Sequence, residues 1–429
     1  MKRLRLTTRF AVDWMLVTYL ANGAVRTLCY EILSRLRLGY FYILATDIVI
    51  YLPLFLMLFK DKALAKKMMH FVALYVGVGL FFLITLAIHP NYEEYYTRDV
   101  FGAVYAVFRP DTGALFGFLG IYLCKDFKQI KKVLLIAAYV LLIYGIYQVV
   151  IARSRGYWEA YSYQGEREQL DYNLGVGYSL MFCCIMFFNS FLSDRKRWYD
   201  LVLTLIAFIL VLTEGSRGAI ICFVVYVVLY CFFQIKNMSL AKKLLIGVLL
   251  IGAYVILANV WTDILSWVIN ILSGMNIESR TIEMLLNNTL TSDNGRERIA
   301  ELAWSTIEQQ GFFGNGAFGS RWVIAPSYYW GYPHSIFLEF VIDYGWMIGC
   351  ILLAALAFVI LRALFVADDD AVAVICILLA MNVKLFLSDS YWAYSFFWAL
   401  LACVVLVGAS VGRRYAKRRK RTLLRMMRR

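Results

Sequence analysis

Residues 70–89 read HFVALYVGVGLFFLITLAIH, twenty positions without one Asp, Glu, Lys or Arg. At 1.5 Å per residue a helix of that length reaches about 30 Å, the thickness of the hydrocarbon core of a bilayer. The segment therefore reads as a membrane helix, and comparable runs recur along the chain. Hydropathy gives about twelve, at roughly 10–30, 39–59, 70–89, 112–124, 133–152, 172–192, 199–213, 218–235, 244–262, 335–366, 371–387 and 393–411. Arg109, Pro110 and Asp111 interrupt the approach to the fourth, which reads as a broken or re-entrant helix. No small-residue cleavage site follows the first apolar stretch, so it is expected to stay as a span.

Composition agrees. Of 429 residues, 62% are hydrophobic and 17% charged, against about 45–50% and 25% in soluble domains. A water-soluble enzyme, a disordered chain, collagen and a disulfide scaffold are all excluded. The nine cysteines lie singly or as Cys183–Cys184, without a CxxC pattern, and read as buried thiols. The expected fold class is an all-α polytopic membrane protein of about twelve helices. Its parts are spans 1–9 over 1–262, a long helical outer loop over 263–334, spans 10–12 over 335–411, and a basic tail over 412–429.

The net charge of +14 is unevenly placed. Ten Lys/Arg lie in Arg413–Arg429, directly after an apolar span. There they read as a topology anchor meeting anionic lipid headgroups, and no nucleic-acid partner is expected. With both termini cytoplasmic, the inner segments hold 29 of the 43 Lys/Arg, the outer segments 12, and Arg26 and Lys384 lie within spans. All twelve outer cations are Arg, whereas fifteen of the sixteen lysines are inside. A planar guanidinium fork binds phosphate or carboxylate through paired hydrogen bonds. The outer face is expected to hold an anion, although a compositional bias of translocated loops gives the same pattern.

The outer loop 263–334 is much longer than a simple connection needs. Ile264, Leu265, Val268, Ile271 and Leu272 recur at helical spacing. A second helix is expected after the turn Asp293-Asn294-Gly295, from Arg296 to about Gln310. Of three histidines, His70 and His89 read as interface residues. His334 closes the long loop where a helix re-enters the membrane, and imidazole is the usual general base near neutral pH. Glu214-Gly215-Ser216-Arg217-Gly218 forms a hairpin, with Arg217 at the start of a span. Helix N-termini favour phosphate, and Arg296 repeats the arrangement. Glu339 and Asp343 are four residues apart on one helix face, so they are either functional or paired, for instance with Lys384. Asp13, Arg26 and Asp47 offer similar pairing in the first two spans.

The order of these pieces resembles the O-antigen ligase and Wzy-type polysaccharide polymerase family. It runs Thr213-Glu214-Gly215-Ser216-Arg217-Gly218-Ala219, Gly295-Arg296, Gly314-Asn315-Gly316, then Pro333-His334-Ser335-Ile336-Phe337-Leu338-Glu339, and ends in Tyr344-Gly345-Trp346-Met347-Ile348-Gly349. Two departures stand out. Ala300 replaces the family's usual aromatic after the loop arginine, and Gly311 its proline before Gly-x-Gly. The resemblance implies an inverting, metal-independent glycosyltransferase of GT-C-like architecture with no cofactor. It would act on polyprenyl-pyrophosphate-linked oligosaccharide at the outer face of the bacterial inner membrane. By the same analogy Arg217 and Arg296, with Arg280 and Arg298 as helpers, would hold the pyrophosphate, and His334 would be the catalytic base. Glu339 and Asp343 would support them. Membrane lipids, a chain-length regulator and a flippase are the implied partners.

Within the family the expectation is a repeat-unit polymerase of O-antigen, capsule or exopolysaccharide. A ligase moving polymer onto lipid A core or another acceptor is the alternative. A glycan or lipid transporter is a second alternative, disfavoured because the chain shows no pair of similar halves. A peptidoglycan-type polymerase would need an acidic loop residue such as Asp293, and the histidine motif argues against it.

Overall fold

A computed structural model describes residues 7–98, 102–161, 167–170, 173–193, 197–214, 217–234, 296–310, 312–327 and 331–426. The expected ninth span, the amphipathic stretch after it and Arg280 lie outside the described residues. In chain order the helices are α1 (Thr8–Leu20), α2 (Asn22–Arg35), α3 (Tyr42–Leu58), α4 (Lys62–Ile88), α5 (Glu93–Thr97), α6 (Leu115–Leu123) and α7 (Phe127–Arg155). A hairpin of β1 (Trp158–Tyr161) and β2 (Arg167–Leu170) follows. After it come α8 (Leu174–Ser193), α9 (Trp198–Glu214), α10 (Arg217–Leu229), α11 (Arg296–Gln309), α12 (Gly319–Ile324) and α13 (Ile336–Tyr344). The chain ends with α14 (Trp346–Val366), α15 (Asp369–Asn382) and α16 (Ser395–Met426).

Six segments among the described residues are long and apolar enough to cross a membrane: Gly39–Leu58, Lys62–Ile88, Phe127–Arg155, Leu174–Ser193, Trp346–Val366 and Ser395–Gly412. Trp198–Leu212 and Gly218–Phe233 are shorter apolar helices. Only 17% of the apolar window of α4 is buried, and Leu80, Leu83 and Ile84 are exposed. A helix so apolar and so bare needs lipid as its solvent, as in a polytopic membrane protein.

Several of the apolar runs do not form one continuous helix. The first breaks at Ala21 between α1 and α2, and the fourth shrinks to α6. The tenth breaks at Gly345, where φ +85° and ψ 155° suit glycine alone. The eleventh ends in a 3-10 turn, Val383–Phe386. Hydropathy reports where a chain is apolar, and these breaks come from local polar or glycine residues that a window averages away.

The chain forms two compact units. The first comprises 1–133, 298–378 and 388–429. In it α1 packs on α3 and α6, and α6 packs on α16. A Cβ on Gly117 would stand 2.3 Å from the Ser395 carbonyl oxygen, so glycine permits that approach. Before α6 the helix ladder fails, and side chains take over the freed carbonyls. Tyr75 donates to Phe108 O (3.1 Å), Tyr51 to Pro110 O (2.6 Å), Asn22 to Asp111 O (2.7 Å) and Tyr19 to Gly113 O (2.9 Å). Asp111 is fully buried, with Arg26 Nε 2.8 Å from Oδ2 and Arg109 Nε 2.8 Å from Oδ1. Arg26 therefore pairs with the interruption of the fourth span, a partner that its own neighbourhood of sequence does not contain. Asp13 instead accepts from Gln129 Nε2 at 2.6 Å. At the other end of α6, Lys67 Nζ donates to the carbonyls of Tyr122 and Cys124 at 2.9 and 2.8 Å.

The second unit comprises 134–297 and 379–387. There α8 packs on α9 and α10. Tyr226 donates to Asn189 Oδ1 at 2.9 Å, and Tyr139 to Asp200 Oδ1 at 2.5 Å. Lys384 lies 4.8 Å from the centre of the Tyr178 ring. A Cβ on Gly218 would stand 2.2 Å from the Tyr178 hydroxyl, which accounts for the glycine after Arg217.

Removing Asp111 takes a fully buried carboxylate away from two largely buried guanidinium groups. Asp111→Ala is expected to cost about 3–5 kcal/mol, read as a lowered unfolding midpoint in detergent. Replacing Arg26, Arg109 and Asp111 together with Met, Met and Leu should recover most of that loss.

Candidate functional site

The loop between α11 and α13 is fastened to α13 by the way their sequences pack. Ile299, Ala303 and Ile307 form the buried stripe of α11. Ala303 and Ile307 join Leu338, Val341 and Ile342 of α13 in one apolar cluster. A helix ends with carbonyls that have no partner of their own, and here the Gly314-Asn315-Gly316 segment supplies several. Asn315 N donates to Ile342 O and Gly316 N to Asp343 O, both at 2.8 Å, while Gln310 Nε2 donates to Val341 O at 2.8 Å. The glycines are required by this approach. A Cβ on Gly314 would meet Gly345 N at 2.2 Å, and Gly316 has φ +79° against Thr85. Beyond them, Ala317 N donates to Thr85 Oγ1 (3.0 Å), and Tyr96 donates to Ala317 O (2.8 Å).

His334 is half-buried, with φ +53°. A left-handed backbone is uncommon outside glycine, and such positions cluster where surrounding structure holds a functional side chain. The Tyr332 ring lies 4.5 Å from the imidazole, and the Tyr332 hydroxyl donates to Ser388 O at 3.1 Å. After Ser335 at its N-cap, α13 carries Glu339 and Asp343, both almost wholly buried. Ser390 Oγ donates to Glu339 Oε1 at 2.5 Å, and Tyr391 N to Oε2 at 3.2 Å. Asp343 accepts from Tyr391 Oη and Trp392 Nε1, each at 2.8 Å, and from Ser320 N at 3.1 Å. The carboxylates thus brace the segment 388–392 against α13, a different partnership from the Lys384 that the sequence offered.

The cation facing them is Arg321, which sequence reasoning passed over. Its side chain is 3% exposed, and its Nη1 lies 4.0 Å from Glu339 Oε1. The guanidinium carbon sits 4.7 Å from the centre of the Phe318 ring and 4.7 Å from that of the Tyr332 ring. One signal was available: Arg321 is the sole charged residue between Glu308 and His334.

The other expected residues are placed as follows. Arg217 opens α10 in the second unit, while Gly215 and Ser216 of the expected hairpin lie outside the described residues. Arg296 opens α11, and it and Arg298 are exposed; the expected turn at 293–295 also lies outside the described residues. Arg298, Arg321, His334, Glu339 and Asp343 all belong to the first unit, and the contacts above join the last four. Among the described residues no group of three His, Cys, Asp or Glu side chains is arranged to hold a metal ion.

Residues 201–354 match the family model described as O-antigen ligase. Over those residues the chain is similar to the O-antigen ligase family. Members of that family are glycosyltransferase-like enzymes, and the match supports a function of the polysaccharide ligase or polymerase kind. No curated protein and no solved structure matches the chain. The matched region begins in α9 and ends within α14, so it contains Arg217, Arg296, Arg321, His334 and both carboxylates.

Gly345 separates the matched region's helix α13 from α14 in a backbone region that only glycine occupies freely. A Cβ there would also stand 2.4 Å from the Phe312 carbonyl oxygen. Gly345→Ala is expected to cost about 1–3 kcal/mol or more, measured as lost yield of folded protein and a lower thermal midpoint in detergent.

Proposed function

We propose that the protein is a repeat-unit polymerase of surface polysaccharide. It transfers a glycan from a polyprenyl-pyrophosphate donor to a sugar hydroxyl of a second lipid-linked glycan. The observation that carries this reading is His334, held in a left-handed backbone inside the region similar to the O-antigen ligase family and packed against Tyr332. In this reading the chain crosses the bacterial plasma membrane about twelve times with both termini inside, and the site faces outward. The excess of cytoplasmic Lys and the all-Arg outer loops support that orientation.

The acceptor oxygen attacks the anomeric carbon as the bond from that carbon to the pyrophosphate oxygen breaks. The hydroxyl proton passes to His334, and the leaving pyrophosphate, still on its polyprenol, takes the bonding electron pair. Configuration inverts in a single displacement. Arg217 and Arg296 bind the pyrophosphate and stabilise its growing charge, with Arg298 and Arg280 assisting. Placing fixed cations where charge develops is the larger part of such catalysis, and a positioned base adds roughly 10²–10⁴-fold. No metal ion or cofactor is required for this route. A chain-length regulator and a flippase are the expected companions.

A ligase differs only in its acceptor, and the description of the matching family model favours keeping it as the second reading.

A deletion strain complemented with wild type should show a long glycan ladder. His334→Ala, Arg217→Ala and Arg296→Ala should each leave single repeat units at normal protein level. Long polymer accumulating on the polyprenyl carrier would make the protein a ligase. Full activity in all three folded variants would overturn the mechanism.

A further inference from the structure

The guanidinium of Arg321 is almost wholly buried, yet Nε, Nη1 and Nη2 have no hydrogen-bond partner among the described residues. A guanidinium carries five N–H donors, and leaving them unmet in a low-dielectric interior is costly. The nearest carboxylate oxygen, Glu339 Oε1 at 4.0 Å, is beyond hydrogen-bonding distance. Glu339 and Asp343 do not need those donors, because Ser390, Tyr391, Trp392 and the Ser320 amide already satisfy them. The Ser320 hydroxyl, next in the chain and fully buried, also lacks a partner. The Phe318 and Tyr332 rings lie against the guanidinium, and its N–H groups are left without an acceptor among the described residues.

We infer that Arg321 binds oxygens of the acceptor sugar, the one whose attacking hydroxyl is presented to His334. This rests on the transferase reading above. Its support is the shared Tyr332 ring, 4.7 Å from the guanidinium carbon and 4.5 Å from the imidazole. The guanidinium carbon and the imidazole centre are therefore at most about 9 Å apart, so one bound sugar can reach both. Charge selects the ligand class. Bringing a further charged group such as phosphate into this buried setting beside Glu339 and Asp343 is costly. A hydroxyl or amide oxygen adds no charge and still gains a charge-assisted hydrogen bond. The Tyr332 ring lies against the Arg321 guanidinium and two residues before His334, with Gly331 at φ +68° before it. Displacing Tyr332 to admit the sugar would therefore move the segment that carries the base.

The test uses the full-length protein in nanodiscs. Its donor is the lipid-linked repeat unit extracted from the source cells, and its acceptor is the saccharide released from that lipid by mild acid. Arg321→Gln should raise the acceptor KM roughly tenfold or more, the weight of one hydrogen bond to a charged donor, with the donor KM unchanged. Calorimetry should show the same loss of saccharide binding, while His334→Ala transfers nothing. Arg321→Lys keeps the charge without the fork and should fall between; it carries the test if the Gln variant does not fold. Unchanged saccharide binding and acceptor KM in folded Arg321 variants would overturn the inference. A raised donor KM instead would make Arg321 a phosphate ligand and also overturn it. Continued transfer by His334→Ala would overturn the transferase mechanism, independently of where the saccharide binds.

Discussion

Hydrocarbon offers a broken helix no hydrogen bonds, so every break must be closed by the chain's own polar groups. At the first break, before α6, Tyr19, Tyr51, Tyr75 and Asn22 reach from four neighbouring helices to hold the freed carbonyls. At the second, after α13, the Gly314–Gly316 backbone does the same work from a loop. The two solutions have different consequences. Side chains closing the first break lock a local packing unit. Backbone closing the second ties the loop that carries Arg321 and His334 to the helix that carries Glu339 and Asp343.

Buried charge is treated in two ways as well. Around Asp111 the ions are matched, with Arg26 and Arg109 on separate oxygens. Around Arg321 the acids are met by hydroxyl, indole and amide donors, and the guanidinium, 4.0 Å from Glu339 Oε1 and against two rings, has no hydrogen-bond partner among the described residues. Matched ions fix geometry at a desolvation cost. An unmatched buried guanidinium is tolerated where something else supplies its acceptors, which is why the proposed sugar contact falls there and not at Asp111.

Helix-start chemistry was legible without a fold. Arg296 follows Asp293-Asn294-Gly295 and opens α11, and Arg217 opens α10, because turn residues act through their own backbone. The family was legible too, since its motifs are short and ordered along the chain from Thr213 to Gly349, and the domain match covers 201–354. Pairing was not legible. Arg26 was assigned to acids in its own neighbourhood of sequence, yet its partner Asp111 lies 85 residues away. Lys384 was offered to Glu339 and Asp343, whose donors come instead from Ser390, Tyr391 and Trp392.

What the amino-acid order determined by itself was the solvent, the family and the positions of the candidate base and arginines. Those depend on apolar run length, charge sign and local turn chemistry, all properties of neighbouring residues. Tertiary structure alone decided where apolar runs break, which ions pair, and that Arg321 rather than a more conspicuous arginine shares a ring with His334. Those depend on distances between residues far apart in the chain. In a protein whose interior and exterior are both apolar, composition carries no record of them.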